Sequence, residues 1–500
     1  MTIASSSWGP GSRRSKALLV AGAASILLGC TEEDVGSVTS AVSLTNEEIS
    51  VDEVLWPESL TWGTQSEPFV VRTDYGLVVG YNNLTDMIDS INPDTGLVSL
   101  IEVSLAEVSK WGMSTRDTST TTWTVERQPL PSDHPPNARF SGDPWLATDG
   151  NGLVWYTGLA WNSAGDDGFA YRVSRDGGET WDDIEFKQTG GPATTDKPTV
   201  ALAGSNGTDA RVHVAYRCWN ATDEIWDICV TTKALGSSTF GDPKRLSNPG
   251  KWNRDNPIVQ VLPGTNNVYL AFQEQVGANK FNIVVAVSYN AGTSFPDFYT
   301  AATNVMPRGN FIAFPTATDR FIDNGIFMSF IIDKQSTPHC DIVYESGGNI
   351  FFTSSSTGTS WSAVTVDGEG DALQPSIAGS STTLALVYYR QDASGGMTVE
   401  RRTRSLSGGT WTTPLEISCT SSHGSVPFEP CTYNRNPIDA RYYFGDYLSV
   451  TSMEHGGAGA SEFYAAWTDS RRSDTYGCSW ATGTSMPFGV QQHVMGVVFE

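Results

Sequence analysis

The sequence is poor in charge, and poorer still in positive charge. Asp, Glu, Lys and Arg make up 17% of its 500 residues, and 31 Lys and Arg stand against 55 Asp and Glu, a net charge of −24. Such a field repels phosphate backbones and excludes a general nucleic-acid binder. Long apolar runs are missing: none approaches the roughly 18 residues of a membrane-crossing helix. Histidine is scarce, with six scattered at positions 134, 213, 339, 423, 455 and 493. With no Cys-x-x-Cys either, a zinc site is not expected. There is no Gly-x-Ser-x-Gly elbow, no His-Glu-x-x-His and no Walker loop. What is abundant is glycine (49) with Trp (16), Tyr (17) and Phe (21). That mixture suits short strands joined by tight turns.

The N-terminus reads as an export signal. Arg13, Arg14 and Lys16 precede a short apolar run, Ala17 to Leu28, which ends in Leu27-Leu28-Gly29-Cys30. The order of charge, apolar run and small residue before Cys resembles the lipobox of bacterial lipoproteins, in which Cys30 becomes the lipidated first residue. Cleavage removes those three positive charges and takes the net charge from −24 to −27. The expected division is a signal peptide over 1–29, an acidic flexible tether over 30–53 and one folded domain over 54–500. The envelope attachment is through the lipid alone, and a monomer is expected.

Setting Cys30 aside leaves Cys218, Cys229, Cys340, Cys419, Cys431 and Cys478, an even number that fits disulfides in an exported chain. Cys218 with Cys229 and Cys419 with Cys431 are close enough for local staples, which leaves Cys340 with Cys478.

The chain repeats itself. A triplet ending in Pro recurs as Ser66-Glu67-Pro68, Gly142-Asp143-Pro144, Asp196-Lys197-Pro198, Asp255-Asn256-Pro257, Ala313-Phe314-Pro315 and Leu373-Gln374-Pro375. Gly445-Asp446-Tyr447 is a seventh copy without Pro. Pro fits the first residue of a strand, where its missing N–H is harmless. Apolar second strands follow at Gly76–Tyr81, Leu153–Tyr156, Val212–Tyr216, Val268–Phe272, Leu384–Tyr388 and Phe463–Trp467. Third strands run into Ser174-Arg-Asp176-Gly-Gly178-Glu-Thr180-Trp181, with relaxed copies at Ser288 to Phe295 and Ser354 to Trp361. Four short strands per unit, repeated about seven times, describe an all-β fold: a β-propeller of seven blades, or six if the first copy is an extension. The final unit is one strand short, and Val54–Trp62 is expected to complete it.

The S-x-D-x-G-x-T-W segment is the Asp-box, or bacterial neuraminidase repeat. With Gly142-Asp-Pro-Trp145 and Trp467-Thr-Asp-Ser-Arg471, it makes residues 55–500 resemble exported sialidase-like propellers. The resemblance implies a ligand site at the axis, on the face where inner strands begin and second strands end. It also implies a set of roles: three Arg clamping a substrate carboxylate, a Tyr nucleophile with a Glu partner, and an Asp acid/base. By position within the repeat, Arg217, Arg254, Arg390, Arg441 and Arg471 are the clamp candidates. Tyr442, Tyr443 or Tyr447 is the nucleophile, Glu274 its partner and Asp143 the acid/base. The Arg-Ile-Pro segment of true sialidases is absent, so no first clamp Arg carries over. The expected function is a glycoside hydrolase on terminal acidic sugars; the alternatives are a non-catalytic glycan- or protein-binding propeller and a propeller polysaccharide lyase. No cofactor is expected. A structural calcium is conceivable at Asp149-Gly-Asn-Gly152, which reads more simply as a turn.

Overall fold

Each of the six apolar second strands forms, in a computed structural model of the chain, as Gly76–Asn83, Val154–Trp161, Arg211–Asn220, Val268–Gly277, Thr383–Gln391 and Phe463–Asp469. The structure describes residues 28–29, 45–49, 53–55, 60–62, 65–83, 88–91, 98–100, 110–117, 120, 122–126, 139–162, 164–190, 194–203, 210–307, 327–332, 339–391, 397–418, 448–454, 462–469, 475–479, 485–490 and 493–500. Among these residues there is no helix, and seven antiparallel sheets follow one another along the chain. We number them blades I to VII. Their innermost strands are Gln65–Arg72, Arg139–Thr148, Thr195–Ala203, Arg254–Val261, Met328–Ile332, Ala372–Gly379 and Ser449–Ser452. Consecutive innermost strands touch in an unbroken cycle that returns from blade VII to blade I. The fold is a seven-bladed β-propeller of four-stranded blades.

An innermost strand has an unpaired edge toward the axis. Hydroxyls at one recurring position cover part of it. Thr199 Oγ1 of blade III accepts from Val259 N of blade IV at 3.3 Å. Ser329 Oγ of V accepts from Ile377 N of VI, Ser376 Oγ of VI from Val450 N of VII, and Ser449 Oγ of VII from Val70 N of I. Between blades I and II the same position carries Phe69 and Trp145, whose rings lie 4.1 Å apart.

The ring closes with an N-terminal strand, as expected of a propeller, but not with the expected segment. Thr45–Glu48 pairs with the last strand, His493–Phe499, setting Glu47 opposite Gly496. Leu28–Gly29 adds a two-residue edge outside it. Val54–Trp62 instead folds on itself as Glu53–Leu55 against Leu60–Trp62. The seam is closed by packing as well as pairing. Ile49, Val70, Val79, Tyr81, Tyr464 and Val494 share one buried cluster. Glu47 accepts from Arg116 and from Trp123 Nε1 at 3.2 Å, both in blade I, and from Tyr464 of blade VII at 3.3 Å. Long connections between second and third strands in blades I and VII also meet: Val98–Leu100 pairs in parallel with Thr475–Ser479. The blade I excursion lies between the first two Pro triplets and accounts for their wide spacing.

Three further sequence expectations shift. In blade V the Ala313-Phe314-Pro315 copy does not mark the innermost described strand: Met328–Ile332 is innermost and Cys340–Ser346 second. Ala313-Phe314-Pro315 itself lies outside the described residues. Pro does not open the inner strand; Pro68 is the fourth residue of Gln65–Arg72. The Asp-box hydrogen bonds form as expected in blades II and IV. Gly178 N donates to Ser174 Oγ at 2.8 Å and Thr180 N to Asp176 Oδ1 at 2.8 Å, and Gly292 N donates to Ser288 Oγ at 3.0 Å. In blade V they start one residue later, from Thr357 N to Ser355 Oγ. All these turns follow third strands, on the face opposite the expected site.

Candidate functional site

Every described Pro of the repeated triplet sits at a β-bulge in its innermost strand, where the pairing register shifts. A proline there sacrifices no ladder hydrogen bond. The residue just before it adopts a positive φ in each case: Glu67 (54°), Asp143 (52°), Lys197 (48°), Asn256 (48°) and Gln374 (47°). A residue with a side chain held there costs about 1–3 kcal/mol. In blades III and IV a neighbouring carboxylate eases the turn. Asp196 Oδ1 accepts from Lys197 N at 3.0 Å and Asp255 Oδ1 from Asn256 N at 2.7 Å. In these five blades the bulge thus sets one residue around the axis, on the channel face, where innermost strands begin.

The innermost strands enclose an axial pocket that opens to solvent. Phe69, Trp145, Ile258, Phe327, Met328 and Leu448 give it an apolar lining, joined by Pro198, Pro257 and Pro375. Asp143, Lys197 and Asn256 supply an acceptor, a cation and an amide from three successive blades. Glu67 and Gln374 are buried, and Glu67 accepts from Asn82 Nδ2 at 2.7 Å. An apolar cavity with a few convergent polar groups is the usual form of a small-molecule site.

Of the expected arginines, Arg217, Arg254 and Arg390 are described, and each is ion-paired. Arg217 reaches Asp196 with one NH group and Asp255 with the other, at 2.8 Å, and its guanidinium lies 4.3 Å over the Trp226 ring. Arg254 is buried, 4% exposed, and bonds Asp227 at 3.3 Å and Glu274 at 2.9 Å. Glu274 is therefore the partner of an arginine in the described structure. Burial holds Asp227 above the usual carboxylate range, against the pull of Ile228 N–H and Arg254. Arg390 meets Glu400, Asp371 and Glu369 at 2.6–2.8 Å and also Asp367. Burial opposes its charge, but Glu400 and Asp367 outweigh that and raise its pKa. Asp367, Glu369 and Asp371 converge as a cation site would. Arg390 already supplies the positive charge between them. Asp149 forms the simpler turn, accepting from Asn151 N and Leu153 N at 2.8 and 3.1 Å.

Tyr442, Tyr443, Tyr447, Arg441, Arg471, Cys419 and Cys431 lie outside the described residues, as does the Cys478 side chain. Cys218 and Cys229 form the expected staple, with Cα atoms 5.8 Å apart. Cys340 is buried at the start of a second strand, on the Asp-box side, with Sγ 3.6 Å from where a Gly358 Cβ would stand. It therefore lies on the face opposite the expected site. Sequence reasoning missed a group of tryptophans beside Arg217. Trp219 and Trp226 face each other across the stapled hairpin, rings 5.3 Å apart, and Trp252 stands 43% exposed on the next connection. The density of Trp around Cys218 was the available signal.

No family model matches the chain, and no curated protein matches it. Among solved structures it is similar to a protein of unknown function from Dyadobacter fermentans, at 11% identity and a TM-score of 0.43, covering 91% of this chain and 97% of that one. It is similar to an α-L-arabinofuranosidase from Fusarium graminearum, at 14% identity and a TM-score of 0.41, covering 72% and 98%. It is also similar to the NanB sialidase from Streptococcus pneumoniae, at 12% identity and a TM-score of 0.38, covering 86% and 68%. These likenesses concern the arrangement of strands.

Proposed function

We propose that the protein binds glycans on its channel face, seating a terminal sugar in the axial pocket, as an envelope lipoprotein held through Cys30. The observation that carries the reading is the pocket itself: an apolar lining under a rim where Asp143, Lys197 and Asn256 offer acceptor, cation and amide at neighbouring positions. A sugar ring presents the matching surface, C–H faces edged by hydroxyls that donate and accept. The strained bulges hold those side chains in place before any ligand arrives, which limits the ordering entropy lost on binding.

Hydrolysis of acidic sugars is the second reading, favoured by Asp143 on the pocket wall as an acid/base. Against it, Arg217, Arg254 and Arg390 each already hold carboxylates, so a substrate carboxylate would have to displace them. A glycan array together with release from a fluorogenic sialoside separates the two. The expected result is array binding that Asp143→Ala and Lys197→Ala each weaken at least tenfold, without sialoside release. Turnover abolished by Asp143→Asn would replace binding with catalysis. The absence of any bound glycan would end the reading.

A further inference from the structure

The three tryptophans beside the axial pocket are held unusually firmly for surface aromatics. Trp219 and Trp226 are cross-strand partners at the end of the blade III hairpin, just beyond the Cys218–Cys229 disulfide. Trp252 sits on the connection from blade III to blade IV. Asn248 grips its backbone from both sides, accepting from Trp252 N at 3.2 Å and donating to Trp252 O at 2.8 Å. The two segments are tied to each other as well. Trp226 N donates to Asn253 Oδ1 at 3.0 Å, and Lys251 Nζ meets Asp223 Oδ1 at 2.6 Å. The backbone carrying the three tryptophans is thereby tied into one framework while Trp252 keeps 43% of its surface in water. A large apolar ring left exposed on a stiffened support gains nothing for folding. Exposed aromatics of this kind mark contact surfaces.

The framework joins the axial pocket through one ion-paired group. Arg217, stacked over Trp226, bonds Asp196 and Asp255. The next residues in each strand, Lys197 and Asn256, line the pocket. Pocket wall, ion pairs and indoles therefore form a continuous strip along the channel face of blades III and IV. With Lys197 and the Lys251–Asp223 pair included, Arg217, Lys197 and Lys251 stand against Asp196, Asp255 and Asp223, so the named groups of the strip carry no net charge to draw an acidic sugar. Its chemistry is aromatic faces flanked by hydrogen-bond donors and acceptors, which suits uncharged sugar rings.

We infer that this strip is a second saccharide subsite: Trp252 and Trp226 stack against neutral sugar units that extend outward from the unit seated in the axial pocket. The inference rests on the glycan-binding reading and adds its substrate class, a neutral oligosaccharide longer than one unit.

The test uses the full chain, isothermal titration and tryptophan fluorescence. Probes are neutral xylo-, cello- and manno-oligosaccharides, their monosaccharides, and two acidic ligands, sialyllactose and an oligogalacturonate. A neutral oligosaccharide should bind more tightly than its monosaccharide, with an affinity that added salt leaves unchanged. Trp252→Ala should weaken the oligosaccharide at least tenfold and leave the monosaccharide within twofold. Trp252→Phe, which keeps an aromatic face, should restore most of the loss, and both variants should unfold at the wild-type temperature. Oligosaccharide binding indifferent to Trp252→Ala overturns the subsite while leaving the axial site standing. Binding restricted to the acidic probes overturns the neutral class. Failure of every probe, and of every glycan on the array, takes down the underlying reading as well.

Discussion

His213 shows what one residue contributes when it is buried without a charge partner. It lies wholly inside blade III, its Nδ1 2.9 Å from Thr232 Oγ1, and it packs where a Cβ on Gly292 of blade IV would come within 3.0 Å. Burial, with a smaller contribution from the Arg211 charge, pushes its pKa down to about 4. An unfolded histidine takes up its proton near pH 6.5, while the folded one resists until about 4. Stability is therefore full above 6.5 and is lost as pH falls through that window, by about 3 kcal/mol in all. Urea titrations at steps between pH 7 and 4 should show this loss. His213→Gln should flatten it; an unchanged slope would assign the acid sensitivity to other groups. The charged residues of the channel face follow a different rule. Their partners come from separate strands and often from separate blades, as Arg217 of blade III meets Asp255 of blade IV. The sequence could name Arg217, Arg254 and Arg390 as residues of that face, because the repeat fixes which strand end each occupies. It could not show that carboxylates already hold them, because ion pairing depends on side-chain reach across blades rather than on spacing.

At the scale of the element, the repeated turns and bulges do the positioning. The Asp-box of blade II packs its Gly178 against blade I: a Cβ added there would lie 2.9 Å from Val78 and 3.0 Å from Thr115, at a φ of 103°. Gly178→Ala should therefore destabilise the fold by about 1–3 kcal/mol, measured by denaturant midpoint, with glycan binding intact at low temperature. A neutral outcome would mean that the turn yields without disturbing blade I. The Asp176 carboxyl is partly desolvated, yet hydrogen bonds from Thr180 and Ser174 outweigh that and hold it below its usual range. Such local bonding is legible in sequence, because Ser, Asp, Gly and Thr recur at fixed offsets. The positive-φ bulge was not legible. A Pro preceded by Glu, Asp, Lys, Asn or Gln reads equally well as the start of a strand, and the choice of a bulge follows from the curvature an innermost strand needs near the axis. The triplet does not mark blade V because its described innermost strand lacks Pro, so the repeat rule had nothing to hold.

The whole molecule depends on one closure. Glu47, from the strand that completes blade VII, binds Arg116 and Trp123 of blade I and Tyr464 of blade VII. Arg116 is only 8% exposed, so Glu47→Ala leaves its charge nearly uncompensated in the seam. A loss of about 3–5 kcal/mol is expected. Deleting residues through 48 should lower the unfolding temperature further and promote association through the uncovered edge of His493–Phe499, read by light scattering. A truncated chain as stable as the full one would show that the ring closes without this strand. The number of blades was readable from repeat spacing, since each unit must bury its faces against neighbours. The identity of the closing strand was not. Thr45–Glu48 carries no distinctive alternation and was absorbed into an acidic tether, whereas Val54–Trp62 is more apolar and nearer blade I.

That placement has a mechanical side. Whatever pulls on the chain ahead of Thr45 loads the closing strand of blade VII before any other blade, and what resists its being peeled away is short pairing with His493–Phe499, the Glu47 contacts and the packing of Ile49. Tension from a surface attachment would thus release the seam first and leave blades II to VI still stacked, so the fold carries its weakest link at the point where force enters.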